Sequence, residues 1–254
     1  MAHPAVVSRE DWLVARKAHL KDEKEFTRLR DRLSQQRRQL PWVKIEKNYV
    51  FDGPGGPVTL AELFDGRHQL LVYHFMFAPE WSQGCRGCSL LADHFNPAVV
   101  HLQHRDATFV AVSRAPVEKL LAFRERMEWR FPWVSSLQND FNHDYRVYFT
   151  EEERSSGLTI YNYDSSAMPI SDLPGLSVFY RNDSGQIFHT YSTYARGLDL
   201  FITAYNYLDI CPKGRDEEEA PNMSWVRHHD RYDLAELIDP WQEHQPSLAK
   251  QEAD

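Results

Sequence analysis

Cys85 and Cys88 are two of only three cysteines in the chain and stand three residues apart in Trp81-Ser82-Gln83-Gly84-Cys85-Arg86-Gly87-Cys88. Thiols at that spacing can close a disulfide, take part in a structural zinc site, or pack as small apolar side chains. The apolar run 70–77 stands just before the pair and a helical pattern over 89–104 follows it. Placed between a buried strand and a helix, Cys85 meets unpaired backbone N–H groups and the positive end of the helix dipole, which favour the thiolate. The expected roles are Cys85 as nucleophile, with Arg86 adding positive charge, and Cys88, one turn further in, as the resolving thiol. A zinc site would need further ligands from Cys211 or the twelve histidines. No second Cys-x-x-Cys or finger-spaced His pair is present, although His101 and His104 stand three apart.

Several elements must hold this pair. Ser8 and Asp11 make a capping-box-like start, and Leu13, Leu20, Phe26, Leu29, Leu33 and Leu40 recur at near-heptad spacing before Pro41. This predicts a helical arm over 1–40 that packs over the domain. Residues 48–60 read as a strand, a Gly/Pro turn and a returning strand. The run 70–77 suits a central strand buried on both faces. In the helix 89–104, Asn96-Pro97 marks a kink or a fresh start. A second buried strand over 108–113, a helix over 116–129 and an extended piece at 131–134 then point to an α/β domain over 41–212.

Within that domain, 139–172 is hard to assign and reads as an irregular insertion. Residues 176–192 form a strong hairpin pattern around Arg181-Asn182-Asp183-Ser184-Gly185, and 198–208 is a final helix. Beyond Cys211-Pro212 comes an acidic tail, 213–254, whose last residues are expected to fray.

Composition bounds the function. A hydrophobic fraction of 42% with 13% aromatic residues exceeds that of a disordered chain. The net charge of -8 argues against a nucleic-acid partner. Charge is uneven: residues 1–40 hold ten Lys/Arg against six Asp/Glu, and 213–254 hold five against eleven. The two ends would attract each other within one chain or across a homo-oligomer. No leader pattern and no membrane-length apolar run is visible, so the expected location is cytoplasmic. Nucleotide fingerprints, phosphate-cradling loops and serine nucleophile elbows are absent, and no cofactor is expected.

The order strand, Cys-x-x-Cys helix, strand, helix, then Leu173-Pro174 before a hairpin is similar to thioredoxin-like proteins. That resemblance implies that Pro174 stands in a cis-proline loop facing the cysteines and that Glu80-Trp81 corresponds to the Glu-Trp before thioredoxin's pair. Ser82, three residues before Cys85, resembles the Thr/Ser of the peroxiredoxin motif, and the stretches 112–120 and 131–136 look like the same branch. The phrases Tyr73-His74-Phe75-Met76-Phe77, 191–199 and 212–217 resemble a bacterial thioredoxin-like family catalogued as a domain of unknown function. The resemblance implies a thiol oxidoreductase that reduces a small or protein disulfide, or a peroxide, and is recycled by an external reductant. A non-catalytic binding module and a structural zinc site stand as alternatives.

Other residues carry weaker expectations. His74 is the ionisable candidate besides Tyr73 where thioredoxin has a buried acid, and reads first as a hydrogen-bonded core residue. Arg114 and Arg146 read as surface arginines, the paired tyrosines 161/163, 191/194 and 205/207 as packing, and Cys211 as a packed free thiol. His228-His229-Asp230-Arg231-Tyr232 reads as a solvated or docking segment.

Overall fold

The computed structural model describes residues 4–157, 159–167, 170–218 and 223–232. The expectation of fraying concerns 233–254 and falls outside the described residues.

Helix α1 (Arg9–Arg37) begins where the Asp11 backbone N–H donates to Ser8 Oγ at 3.1 Å, satisfying one of the open donors of the first turn. None of its side chains is buried, and Trp12, Leu13, Phe26, Leu29 and Leu33 stay exposed. The arm therefore does not pack over the domain as expected. Charged pairs such as Arg16–Glu23 at 2.7 Å lie between the apolar positions and suit a solvated helix.

After β1 (Val43–Lys44), the expected hairpin forms from β2 (Val50–Gly53) and β3 (Gly56–Thr59), with Gly56 at φ +108. Strand β4 (Gln69–His74) leads to α2 (Arg86–Phe95), which buries Cys88, Leu91, Ala92 and Phe95 at the i, i+3, i+4, i+7 spacing of one helix face. Asn96-Pro97 does break the helix: a 3₁₀ turn separates α2 from α3 (Val99–Gln103), because proline has no N–H to continue the ladder. Strand β5 (Ala107–Ser113) is buried throughout, and α4 (Val117–Arg126) connects it to β6 (Trp133–Ser135).

The stretch 139–172 is more ordered than its sequence suggests. Helix α5 (Phe141–Asp144), α6 (Glu151–Ser156) with a Thr150/Glu153 capping box, and the separate hairpin β7 (Thr159–Tyr161) with β8 (Asp164–Ser166) lie within it. Phe141 and Tyr145 are buried in the main core, so this segment covers one face of the sheet instead of decorating it. Strands β9 (Gly175–Arg181) and β10 (Ile187–Tyr194) form the second expected hairpin, with Gly185 at φ +81 in the turn. The predicted final helix is split into a 3₁₀ stretch, Ala195–Phe201, and α7 (Thr203–Leu208), with non-helical backbone at Ile202 between them.

Eight of the described strands form one sheet in the order β1-β10-β9-β4-β5-β6-β2-β3. Strand β4 pairs parallel with β5 and antiparallel with β9, and β5 pairs parallel with β6. This is the expected thioredoxin-like α/β arrangement, with the cysteine helix leaving the end of the central strand. One core cluster lies under α2 and α4 and holds Tyr73, Phe75, Phe123 and Trp133; the other holds Leu70, Val72, Phe141 and Phe179. Among the described residues, no helix is long and apolar enough to cross a membrane.

Candidate active site

Strand β4 delivers its last side chains to opposite faces, since residues alternate along a strand. Tyr73 enters the cluster that holds Cys88, and His74 enters the other face, where its ring stacks on Phe141 and Tyr145. His74 Nε2 bonds to Ser177 Oγ at 2.8 Å, and Ser177 continues to Ser192 and His189. Burial and the nearby His189 hold the His74 pKa down, to about 3. His74 is thus a neutral core histidine, and Tyr73 is the ionisable side chain that reaches the thiols.

The loop after β4 is drawn tight around the pair. The Cys85 N–H donates to the Met76 carbonyl at 3.0 Å, and the Met76 N–H donates to Cys88 Sγ at 3.4 Å. Gly84 makes this approach possible: a Cβ there would lie 2.7 Å from the Phe75 ring and 2.9 Å from that of Phe123.

Cys85 is the N-cap of α2, half-buried, and Cys88 is 2% exposed one turn further in; both are free thiols. The Cys88 side chain hydrogen-bonds to Cys85 and stabilises it as thiolate, and the backbone N–H groups of Cys88 and Gly87 together with the Arg86 charge act in the same direction. Against the opposing effect of burial, they bring the Cys85 pKa down to about 6. Burial pushes the Cys88 thiol well up, reinforced by its bond to Cys85, while hydrogen bonds from Tyr73 and the Met76 N–H act the other way. Tyr73 itself stays a neutral phenol because it is buried. Tyr73, Cys88 and Cys85 thus line one cavity, with the Met76 N–H donating to the inner sulfur.

This asymmetry has a direct readout. Because a lowered pKa leaves more thiolate as pH rises past it, alkylation of Cys85 by iodoacetamide should climb between about pH 5 and 7 and level off above that. Peptide mapping should find Cys88 unmodified over the same range. A rise centred near pH 8.5–9, the ordinary thiol range, would contradict the arrangement.

Pro174 reaches the pair but not in the expected geometry. Among the described residues no peptide bond is cis, so Pro174 is trans. It still lines a cavity of about 310 Å³ together with Cys85, Cys88, Tyr73, Met76, Leu91 and Leu198. Its carbonyl accepts the Tyr161 hydroxyl at 2.7 Å, and the same hydroxyl accepts the Ala195 N–H at 3.0 Å. Tyr161 thereby fixes two walls of the cavity, so one tyrosine of the 139–172 stretch is a positioning residue.

The remaining candidates divide. Trp81 is half-buried against the core and lines a second, open cavity of about 630 Å³ beside Cys85, with Arg86 at its edge. Ser82 is exposed and lies in neither cavity. Arg114 is held away by a bidentate pair with buried Asp172, at 2.9 and 3.0 Å, and Arg146 is exposed near Glu153. Cys211 is exposed, not packed, and its S–H donates to the Tyr207 carbonyl at 3.3 Å. Among the described residues, no group of three or more His, Cys, Asp or Glu is placed to hold a metal ion.

The supposed tail is the main feature that the sequence did not reveal. Arg215 reaches back to Asp209 at 2.7 and 2.8 Å and to Asp199 at 2.9 Å, so the chain does not leave the domain at 212. Residues 223–232 then return to the cysteines: His228 Nε2 meets the Gly84 carbonyl at 2.9 Å, and His229 Nδ1 meets Asp93 at 2.7 Å. Of the two readings of His228-His229-Asp230, docking is the one observed. The clue in the sequence was Trp225-Val226, apolar residues in an otherwise charged stretch; Val226 is fully buried.

Among solved structures, the chain is similar to the peroxidoxin BcpB of Mycobacterium tuberculosis, at 14% identity and a TM-score of 0.43 over 65% of this chain and 94% of that one. A mutant of Xylella fastidiosa PrxQ matches at 13% identity with the same coverage and TM-score. The mitochondrial 2-Cys peroxiredoxin of Plasmodium falciparum matches at 14% identity and a TM-score of 0.38, over 67% of this chain and 96% of its own. No curated protein matches the sequence. Residues 1–232 match the family described as "Bacterial protein of unknown function (DUF899)", and the chain belongs to that family.

Proposed function

We propose that the protein is a thiol–disulfide oxidoreductase in which Cys85 is the nucleophile and Cys88 the resolving thiol. The observation that carries this reading is the place of the pair at the N-terminus of α2, where the outer sulfur opens on a cavity and the inner one is shielded one turn further in. The Cys85 thiolate attacks a substrate disulfide and forms a mixed disulfide; Cys88 then attacks Cys85 and releases the substrate thiol. Tyr73 and the Met76 N–H support Cys88 as it gives up its proton. An external dithiol returns the pair to the reduced state.

A disulfide substrate suits the site better than a peroxide. Ser82, Arg114 and Arg146, which a peroxide site would use to polarise the O–O bond, line neither cavity at Cys85, and Arg114 is paired with Asp172. Thiol–disulfide exchange needs none of them.

Exposure of the reduced protein to a small disulfide should consume two thiols and leave a Cys85–Cys88 bond, identified by mass analysis of the digested protein, with Cys211 still free or singly modified. Insulin and hydrogen peroxide run in parallel separate reductase from peroxidase. If both thiols stay reduced in the folded protein, the site is a binding module and the enzyme reading is lost.

A further inference from the structure

We infer that the segment Met223–Tyr232 is a specificity-determining cover which makes the Cys85–Cys88 site prefer small, uncharged, apolar disulfides to protein disulfides. This rests on the oxidoreductase reading and adds the substrate class.

The cover is built, not draped. Glu217 gathers its first end: the carboxylate accepts the Met223 N–H at 3.0 Å, Trp225 Nε1–H at 2.7 Å and the Tyr205 hydroxyl at 2.9 Å. Arg126 holds the other end, with Nε and Nη2 each 2.8 Å from the Asp230 carboxylate. Between them, Val226 is fully buried and His228 is 5% exposed against the Gly84 carbonyl.

What the cover encloses sets the substrate. Sδ and Cε of Met223 lie 3.2 Å from the point a Cβ on Gly87 would occupy, and Cys85 Sγ lies 3.8 Å from the same point. Met223 is therefore a wall beside the attacking sulfur. The other walls of the 310 Å³ cavity include Met76, Leu91, Pro174, Leu198 and Ile202, with an Arg196–Asp199 ion pair at 3.1 Å the charged element. A cavity near the lower end of the small-ligand range admits one alkyl or aryl group, and apolar walls penalise a charged one. On its other side Cys85 borders the open cavity of about 630 Å³, so the selection falls on the half of the disulfide that enters the 310 Å³ cavity, where Met223 leaves no room for a polypeptide.

The chemistry balances with a disulfide R–S–S–R. Attack by the Cys85 thiolate forms Cys85–S–S–R and releases one thiolate; attack by Cys88 on Cys85 Sγ forms the internal disulfide and releases the second. Two electrons pass from the protein dithiol to the substrate, and the two cysteine protons end on two R–SH. A dithiol such as dithiothreitol reverses the protein's oxidation.

The test uses the full chain carrying Cys211→Ser, which removes the exposed thiol. Rates are measured with dithiodipyridine as the neutral aromatic disulfide, oxidised glutathione as the charged small one, and insulin. Each is divided by the rate of free dithiothreitol with the same disulfide, to remove intrinsic reactivity. The neutral disulfide should exceed both others by about 30-fold or more, a difference of ~2 kcal/mol in transition-state binding. Adding Glu217→Ala and Asp230→Ala, which release both ends of the cover, should raise the insulin rate about 10-fold or more and narrow that gap.

Comparable normalised rates for insulin and dithiodipyridine in the otherwise wild-type chain would overturn the inference while leaving the oxidoreductase reading intact. So would an unchanged insulin rate in a folded release variant. Should that variant fail to fold, the preference among the three disulfides decides alone. No turnover of any disulfide would remove both readings together.

Discussion

Replacing Cys85 by Ser should abolish disulfide reduction, lowering kcat/KM by at least ~1,000-fold, because a serine hydroxyl is not ionised where the thiolate forms and has no equivalent exchange chemistry. Replacing Cys88 by Ser should have a different outcome. Cys85 remains at the N-terminus of α2, with the backbone N–H groups of the first turn and Arg86 still beside it, so the first attack proceeds. Without the resolving thiol the reaction stops there, and in a Cys211→Ser background intact mass should rise by one substrate half per chain. Equal turnover of Cys85→Ser and the parent protein, or no adduct on Cys88→Ser under the same disulfide, would eliminate the assigned roles.

Truncating Phe75 to Ala should cost about 3–5 kcal/mol, the range for removing a buried aromatic ring. Phe75 is 1% exposed and packs on Trp133, Trp129 and Phe123 with ring centroids 4.6, 5.9 and 6.5 Å away. Its ring also abuts Gly84, the residue that closes the loop onto Cys85 and anchors His228. A total stability of roughly 5–15 kcal/mol makes such a loss a large fraction of the whole. Urea unfolding should show a midpoint lowered in proportion, and Cys88 should become alkylatable at neutral pH as the loop loosens. Phe75→Leu should cost far less, since it keeps most of the volume. A change below about 1 kcal/mol for the alanine variant would mean that the ring is not the keystone of this loop.

The placement of the two cysteines and the fold order could be read from the chain because they depend on local spacing. A three-residue separation puts one thiol at a helix start and the other one turn in, and the apolar runs, Asn96-Pro97 and Asp183-Ser184-Gly185 mark strand, break and turn wherever they occur. Other features were hidden for definite reasons. A strand buried on both faces gives no pattern that tells which neighbour faces which core, so Tyr73 and His74 were exchangeable until β4 was paired and faced. The near-heptad pattern of α1 predicted a packed arm, but periodicity records an apolar stripe and not what lies against it.

The sequence by itself determined the dithiol, its place before a helix and the α/β order around it, since these follow from nearest-neighbour chemistry and periodicity. Only the tertiary structure decided that Pro174 approaches as a trans peptide, that Tyr73 and not His74 faces the thiols, and that an acidic tail returns to the cysteines. The His228–Gly84 contact joins residues 144 positions apart. Such a contact is set by which elements the sheet brings to one face, and no local preference along the chain encodes it.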